Sequence, residues 1–179
     1  MAALCLSSQQ IASSSGLIPQ HRHTSWQPPK QGTIKINMDA AFVSPNHTGA
    51  IASIFRDHTG KMLDGFTLTV PAFTATEAET QALLQTLKHL IHQQQTDSHL
   101  QLESDSLILV DIVNSSRLPP WSCRALFAEI DSLLLCFPHL SLHHCPRESN
   151  ALADWACKAH GRGLLPLNWA LKLRVQCMI

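Results

Sequence analysis

The chain has 179 residues, 45% of them apolar and 15% charged, enough for one domain with a substantial core plus tails. Thirteen basic and thirteen acidic residues leave zero formal charge with the 11 histidines neutral, which excludes a protein that holds a polyanion mainly by long-range attraction. No apolar run spans a membrane, and the six cysteines include no Cys-x-x-Cys pair and no zinc spacing with histidine, so the reading is a reduced, soluble intracellular protein, nuclear or cytoplasmic.

Residues 1–31 are rich in Ser, Gln and Ala and contain no acid; the first acidic residue is Asp39. Such a stretch reads as a disordered or transit-like tail, the second option leaving a plastid or mitochondrion open. A domain is expected over residues 32–161. Thr33 to Asp39 alternates apolar and polar residues and predicts a strand. Ala50 to Arg56 and Met62 to Val70 predict two more, joined by the turn Asp57-His58-Thr59-Gly60. A helix is expected from about Thr76 to Gln94, then a strand from Leu100 to Glu103 and a helix from Ser106 to Asn114. Pro119-Pro120 interrupts the pattern before a helix from Cys123 to Cys136, a strand from Leu140 to Cys145, and a last helix carrying Asp154. An antiparallel meander followed by strands entered through helices implies an α/β fold with a mixed sheet covered by helices. Residues 162–179 form a tail with regularly placed leucines and Trp169, expected to pack on the domain or on a partner. The four tryptophans are expected to pack in the core or at its edges rather than to stack on bases.

Four acids carry the chemistry: Asp39 at a strand end, Glu79 in the first turns of the long helix, Asp105 just after a strand, and Asp154 in the last helix. Two strand ends and two helices can aim four carboxylates at one point, where they repel unless cations neutralise them. Oxygen ligands that leave room for water and phosphate favour Mg²⁺ or Mn²⁺ over zinc, and the set suggests a two-metal nuclease site. Glu77 competes with Glu79 but reads as a helix-dipole residue. Glu103 is expected to lie away from Asp105 or to face solvent.

The surrounding phrases are Trp26 with Pro28-Pro29 and Gly32, Lys35-Ile36-Asn37-Met38-Asp39-Ala40-Ala41, and Arg56-Asp57-His58-Thr59-Gly60. Glu79-Thr80-Gln81-Ala82-Leu83, Glu103-Ser104-Asp105-Ser106 and His144-Cys145-Pro146-Arg147-Glu148-Ser149-Asn150-Ala151-Leu152-Ala153-Asp154 complete the set. In this order they resemble the ribonuclease H-like superfamily, in the divergent plant form also found as the terminal domain of retroelement reverse transcriptases. The resemblance implies a five-stranded mixed sheet, three antiparallel strands then two parallel, flanked by helices. It implies hydrolysis of the RNA strand of RNA/DNA hybrids by a monomer with slight sequence specificity. Asp39, Glu79 and Asp105 would hold one ion, and Asp39 and Asp154 a second. His144 takes the place of a mobile histidine that assists proton movement and product departure, and Asn150 that of an asparagine touching the nucleic acid or the His144 loop.

The chain departs from that pattern where Ala40, Ala50, Ala52 and Ser53 stand in place of glycines that admit the nucleic-acid backbone, and only Arg117 and Arg124 are cationic between Asn114 and Phe137. A non-catalytic, domesticated module that binds nucleic acid or protein is therefore the alternative. A 3′ to 5′ exonuclease on a related fold is disfavoured, since Met38, Ala40 and Ala41 surround Asp39 where that class places two acids close together.

Overall fold

The computed structural model describes residues 25–43, 48–166 and 169–170. Strands β1 (Thr33–Val43), β2 (Thr48–Arg56) and β3 (Met62–Pro71) form an antiparallel meander, followed by α1 (Ala75–His92), β4 (His99–Ser104) and α2 (Leu107–Val113). A short 3₁₀ turn, Trp121–Cys123, leads into α3 (Arg124–Leu134), then β5 (Leu140–His144), a second 3₁₀ turn (Arg147–Asn150) and α4 (Ala151–Gly161). The sheet order is β3-β2-β1-β4-β5, with β1–β4 and β4–β5 parallel and the meander antiparallel. The five-stranded mixed sheet is the one expected.

Alternation along β1 sorts the two faces. Ile36 and Met38 point to one side and pack with Leu83, Leu87 and Leu90 of α1, Leu109 of α2, and Phe127 and Ile130 of α3. Burying side chains of this size stabilises the fold by about 1.5–3 kcal/mol each. On the other face Ala50, Ala52 and Ile54 of β2 pack against Ala153, Ala156 and Cys157 of α4, with Trp169 and Ala170 joining them. Small residues on both elements let α4 sit close to the sheet. Ala50 and Ala52 thus face α4 rather than an open groove, and Ser53 is buried against α1 with its hydroxyl 2.6 Å from that of Thr86. The methyl groups of Ala50 and Ala52 are core atoms.

Trp169 packs on the domain, and its indole nitrogen donates to Thr67 Oγ1 at 3.2 Å. Residues 171–179 and the expected tail up to residue 24 lie outside the described residues. Among the described residues no helix is long and apolar enough to cross a membrane.

Several details differ from the sequence reading. β1 does not end at Asp39 but runs on to Val43, because Ala40 to Val43 keep pairing with Thr48 to Ile51 of β2. α1 begins at Ala75, where the Thr74 hydroxyl accepts from the Glu77 amide and the Glu77 carboxylate accepts from the Phe73 amide at 2.6 Å. The helix before Cys136 stops at Leu134 and its first turn is 3₁₀. Trp121 is 81% exposed and Trp155 is also exposed, so only Trp26 and Trp169 serve the packing expected of all four.

Candidate metal centre

The site lies where parallel pairing stops. Met38 is paired with Ser104, the last residue of β4, so Asp39 and Asp105 both stand one residue beyond the end of the parallel ladder. There β4 turns into α2: the Ser104 hydroxyl accepts from the Ser106 amide, and the Ser106 hydroxyl caps α2 at Leu109. β1 continues while β4 leaves, and the gap between them opens at the carboxyl ends of the parallel strands. Glu79, one turn into α1, reaches this gap from the opposite face of the sheet.

Asp39, Glu79 and Asp105 each offer a carboxylate oxygen within 4.8 Å of the others. The electrostatics follow from that crowding. Burial, then the charges of Asp105 and Asp154, push Asp39 up to about 7, while Lys158 and Arg147 pull it back. Burial and the charges of Asp39 and Asp105 hold Glu79 well above the usual carboxylate range, against a hydrogen bond from the Ala40 amide. Glu79 Oε2 is buried and has no hydrogen-bond partner. An orphaned carboxylate oxygen beside two further acids is satisfied by a hard divalent cation, so the residues present fit Mg²⁺ or Mn²⁺.

Asp154 does not join this group. Its Oδ2 lies 2.6 Å from Lys158 Nζ, one helical turn along α4, and its Oδ1 lies 3.5 Å from the Arg147 guanidinium. Asp39 nevertheless feels its charge. His144 ends β5, paired with Ser104 and exposed, beside the elbow that carries Asp105. Asn150 is 0% exposed, and its Nδ2 donates to the Met38 carbonyl at 2.8 Å and to Asp39 Oδ1 at 3.3 Å. Its contacts here are with the strand and the first acid, at the entry of α4.

Sequence reasoning misplaced one acid and missed a network around it. Glu103 does not face solvent: it is paired in the sheet with Asn37, on the face of β1 that also carries Lys35 and Asp39. Glu103, 8% exposed, pairs with Lys35 Nζ at 2.7 Å and accepts from Asn37 Nδ2 at 3.0 Å. Asn37 Oδ1 in turn accepts from the Trp26 indole at 2.8 Å and from Arg56 at 2.7 Å. The Arg56 guanidinium lies 3.6 Å from the centroid of the Trp26 ring, and burial lowers its pKa to about 10. Lys35 also donates to the Gln27 carbonyl at 2.8 Å. The alternation of polar residues at 35, 37 and 39 was the available signal for this network.

A family model described as "Reverse transcriptase-like" matches residues 37–160. Among solved structures, RNase H1 from the halophilic archaeon Halobacterium salinarum is 20% identical with a TM-score of 0.66, covering 74% of this chain and 99% of its own. LC11-RNase H1, isolated from compost by a metagenomic approach and solved in complex with an RNA/DNA hybrid, is 23% identical with a TM-score of 0.65 over 74% of this chain and 99% of its own. The N-terminal RNase H domain of a Mycobacterium tuberculosis protein is 16% identical with a TM-score of 0.62, covering 75% and 100%. No curated protein sequence matches the chain.

Proposed function

From the premise that the chain belongs to the reverse transcriptase-like family, a ribonuclease H-like domain, we propose that it hydrolyses the RNA strand of RNA/DNA hybrids with two divalent ions, Mg²⁺ or Mn²⁺. The observation that carries the reading is the convergence of Asp39, Glu79 and Asp105 within 4.8 Å around an unpartnered, buried oxygen of Glu79. The complex of LC11-RNase H1 with a hybrid supports the substrate class.

Asp39, Glu79 and Asp105 would hold one ion, and Asp39 with Asp154 a second. When bound, the ions supply an activated water and charge stabilisation at the leaving 3′ oxygen. The carboxylates bind in the deprotonated form, so metal loading would compete with the raised proton affinity of Asp39 and Glu79. Asn150 fixes the orientation of Asp39 through its bond to Oδ1, which limits the reorganisation needed when the phosphate arrives. His144 would exchange protons with departing product, a role that its exposure at the end of β5 supports. Choosing RNA over DNA rests on contacts to 2′-hydroxyls in the wide minor groove, a readout of sugar and shape that gives little sequence preference.

The test is cleavage of a labelled hybrid with Mg²⁺ or Mn²⁺, alongside duplex RNA and duplex DNA controls. Loss of only the hybrid's RNA strand, abolished in Asp39→Asn, supports the nuclease. Hybrid binding without cleavage, unchanged by the substitution, favours the binding module instead.

A further inference from the structure

The four carboxylates divide into a group of three and a single outlier. Three of them, Asp39, Glu79 and Asp105, converge, and burial and mutual repulsion raise Asp39 and Glu79. The fourth is already neutralised by the chain itself: Asp154 is bonded by Lys158 at 2.6 Å, with Arg147 at 3.5 Å on its other oxygen. The same two cations also act on Asp39.

We propose that Lys158 is a tethered competitor of the second divalent ion, its ammonium holding the charge-balancing place beside Asp154 until an ion displaces it. The proposal deepens the metal-nuclease reading and rests on it. A lysine suits the task because its ammonium is a compact, strongly hydrated point charge on a flexible four-carbon stem. Lys158 is 46% exposed, so on release it has water to enter, whereas a buried lysine would be stranded. Arg147 is the longer and more exposed contact and contributes less. The triad fills first, at a place where no described cation forms a salt bridge; the place shared by Asp39 and Asp154 fills second, weakened by the strength of the Lys158–Asp154 pair.

Calorimetric titration of the full chain with Mn²⁺ alone, without nucleic acid, tests this. The wild type is expected to show a tighter and a weaker step. Lys158→Met should tighten the weaker step by roughly threefold to fivefold, the equivalent of one such ion pair, and leave the tighter step in place. Lys88→Met, which removes a comparably exposed lysine paired with Glu129, should move neither step. A damaged fold loses affinity and does not gain it, so selective tightening has no structural explanation. A weaker step unmoved in Lys158→Met, or a gain shared equally by both steps, overturns the proposal while the metal reading stands, provided that Asp39→Asn abolishes binding. No Mn²⁺ binding by the wild type overturns the metal reading and the proposal with it.

Discussion

The side-chain amide of Asn37 donates to the carboxylate of Glu103 across the parallel pair β1–β4, at 3.0 Å. This bridge lies two residues before Asp39 and Asp105, so the strands that lead to those two acids are fastened just before them. Glu103→Leu leaves Lys35 buried without its counter-charge and should cost about 3 kcal/mol in urea unfolding. The double variant Lys35→Met with Glu103→Leu should cost clearly less than the sum of the singles, since neither charge is then stranded. Additive costs would show that the pair is not coupled.

Stability without metal should fall as pH rises. The folded state holds Asp39 at about 7 against an ordinary 3.8, and Glu79 is raised as well, so through this window the folded chain binds more protons than the unfolded one. Their contribution is fully present below the ordinary carboxylate range and is lost as pH rises through about 7, by an amount on the order of a few kcal/mol. Asp39→Asn should flatten this slope and raise the metal-free melting temperature near neutral pH. Thermal unfolding followed across pH checks both.

Added Mn²⁺ should reverse the trend. Binding requires deprotonated carboxylates, so the metal-induced rise in melting temperature should be large above neutrality, shrink toward about pH 5, and vanish in Asp39→Asn. A rise of equal size in that variant would place the ion elsewhere.

Asn150→Ala removes a donor from the Met38 carbonyl and from Asp39 inside a fully buried contact. The expected loss of stability is about 1–3 kcal/mol, together with weaker Mn²⁺ binding because Asp39 is no longer oriented. Asn150→Asp places a further buried acid beside Asp39 and should weaken the fold more than alanine does. Wild-type metal affinity in Asn150→Ala would confine the residue to packing.

Ala52→Gly should lower stability by roughly 1 kcal/mol without improving hybrid affinity, because the methyl group fills the α4 interface. Gel-shift titration of Ala52→Gly against the wild type checks the second half; a gain in affinity would show that the methyl obstructs the nucleic acid.

Much of the site was legible because its acids sit in distinct local settings: the alternation through Asp39, the helical run after Glu79 and the turn after Asp105 each announce their element. The pairing partners were less legible. Asp154 and Lys158 are four apart on a helix, a spacing that brings side chains together, yet a carboxylate assigned to metal draws attention away from its own helix. Glu103 is buried against Lys35 and Asn37 of β1, partners that its position beside Asp105 in the chain does not reveal. The extension of β1 past Asp39 depended on pairing with Thr48 to Ile51, a tertiary fact that the small residues Ala40 and Ala41 do not advertise. Nor does sequence alone say that Trp26, before the expected domain start, closes the network over Asn37.

Asp39 and Asp105 meet just past the last pair of the β1–β4 ladder, yet a whole hairpin and all of α1 separate them along the chain, and Asp154 arrives only with α4. A chain still emerging from the ribosome therefore carries scattered single acids with ordinary affinities, and acquires the charge cluster only when the long crossover to β4 has closed. Translation products that stop before β4 lack Asp105 and Asp154, and with them the three-carboxylate cluster.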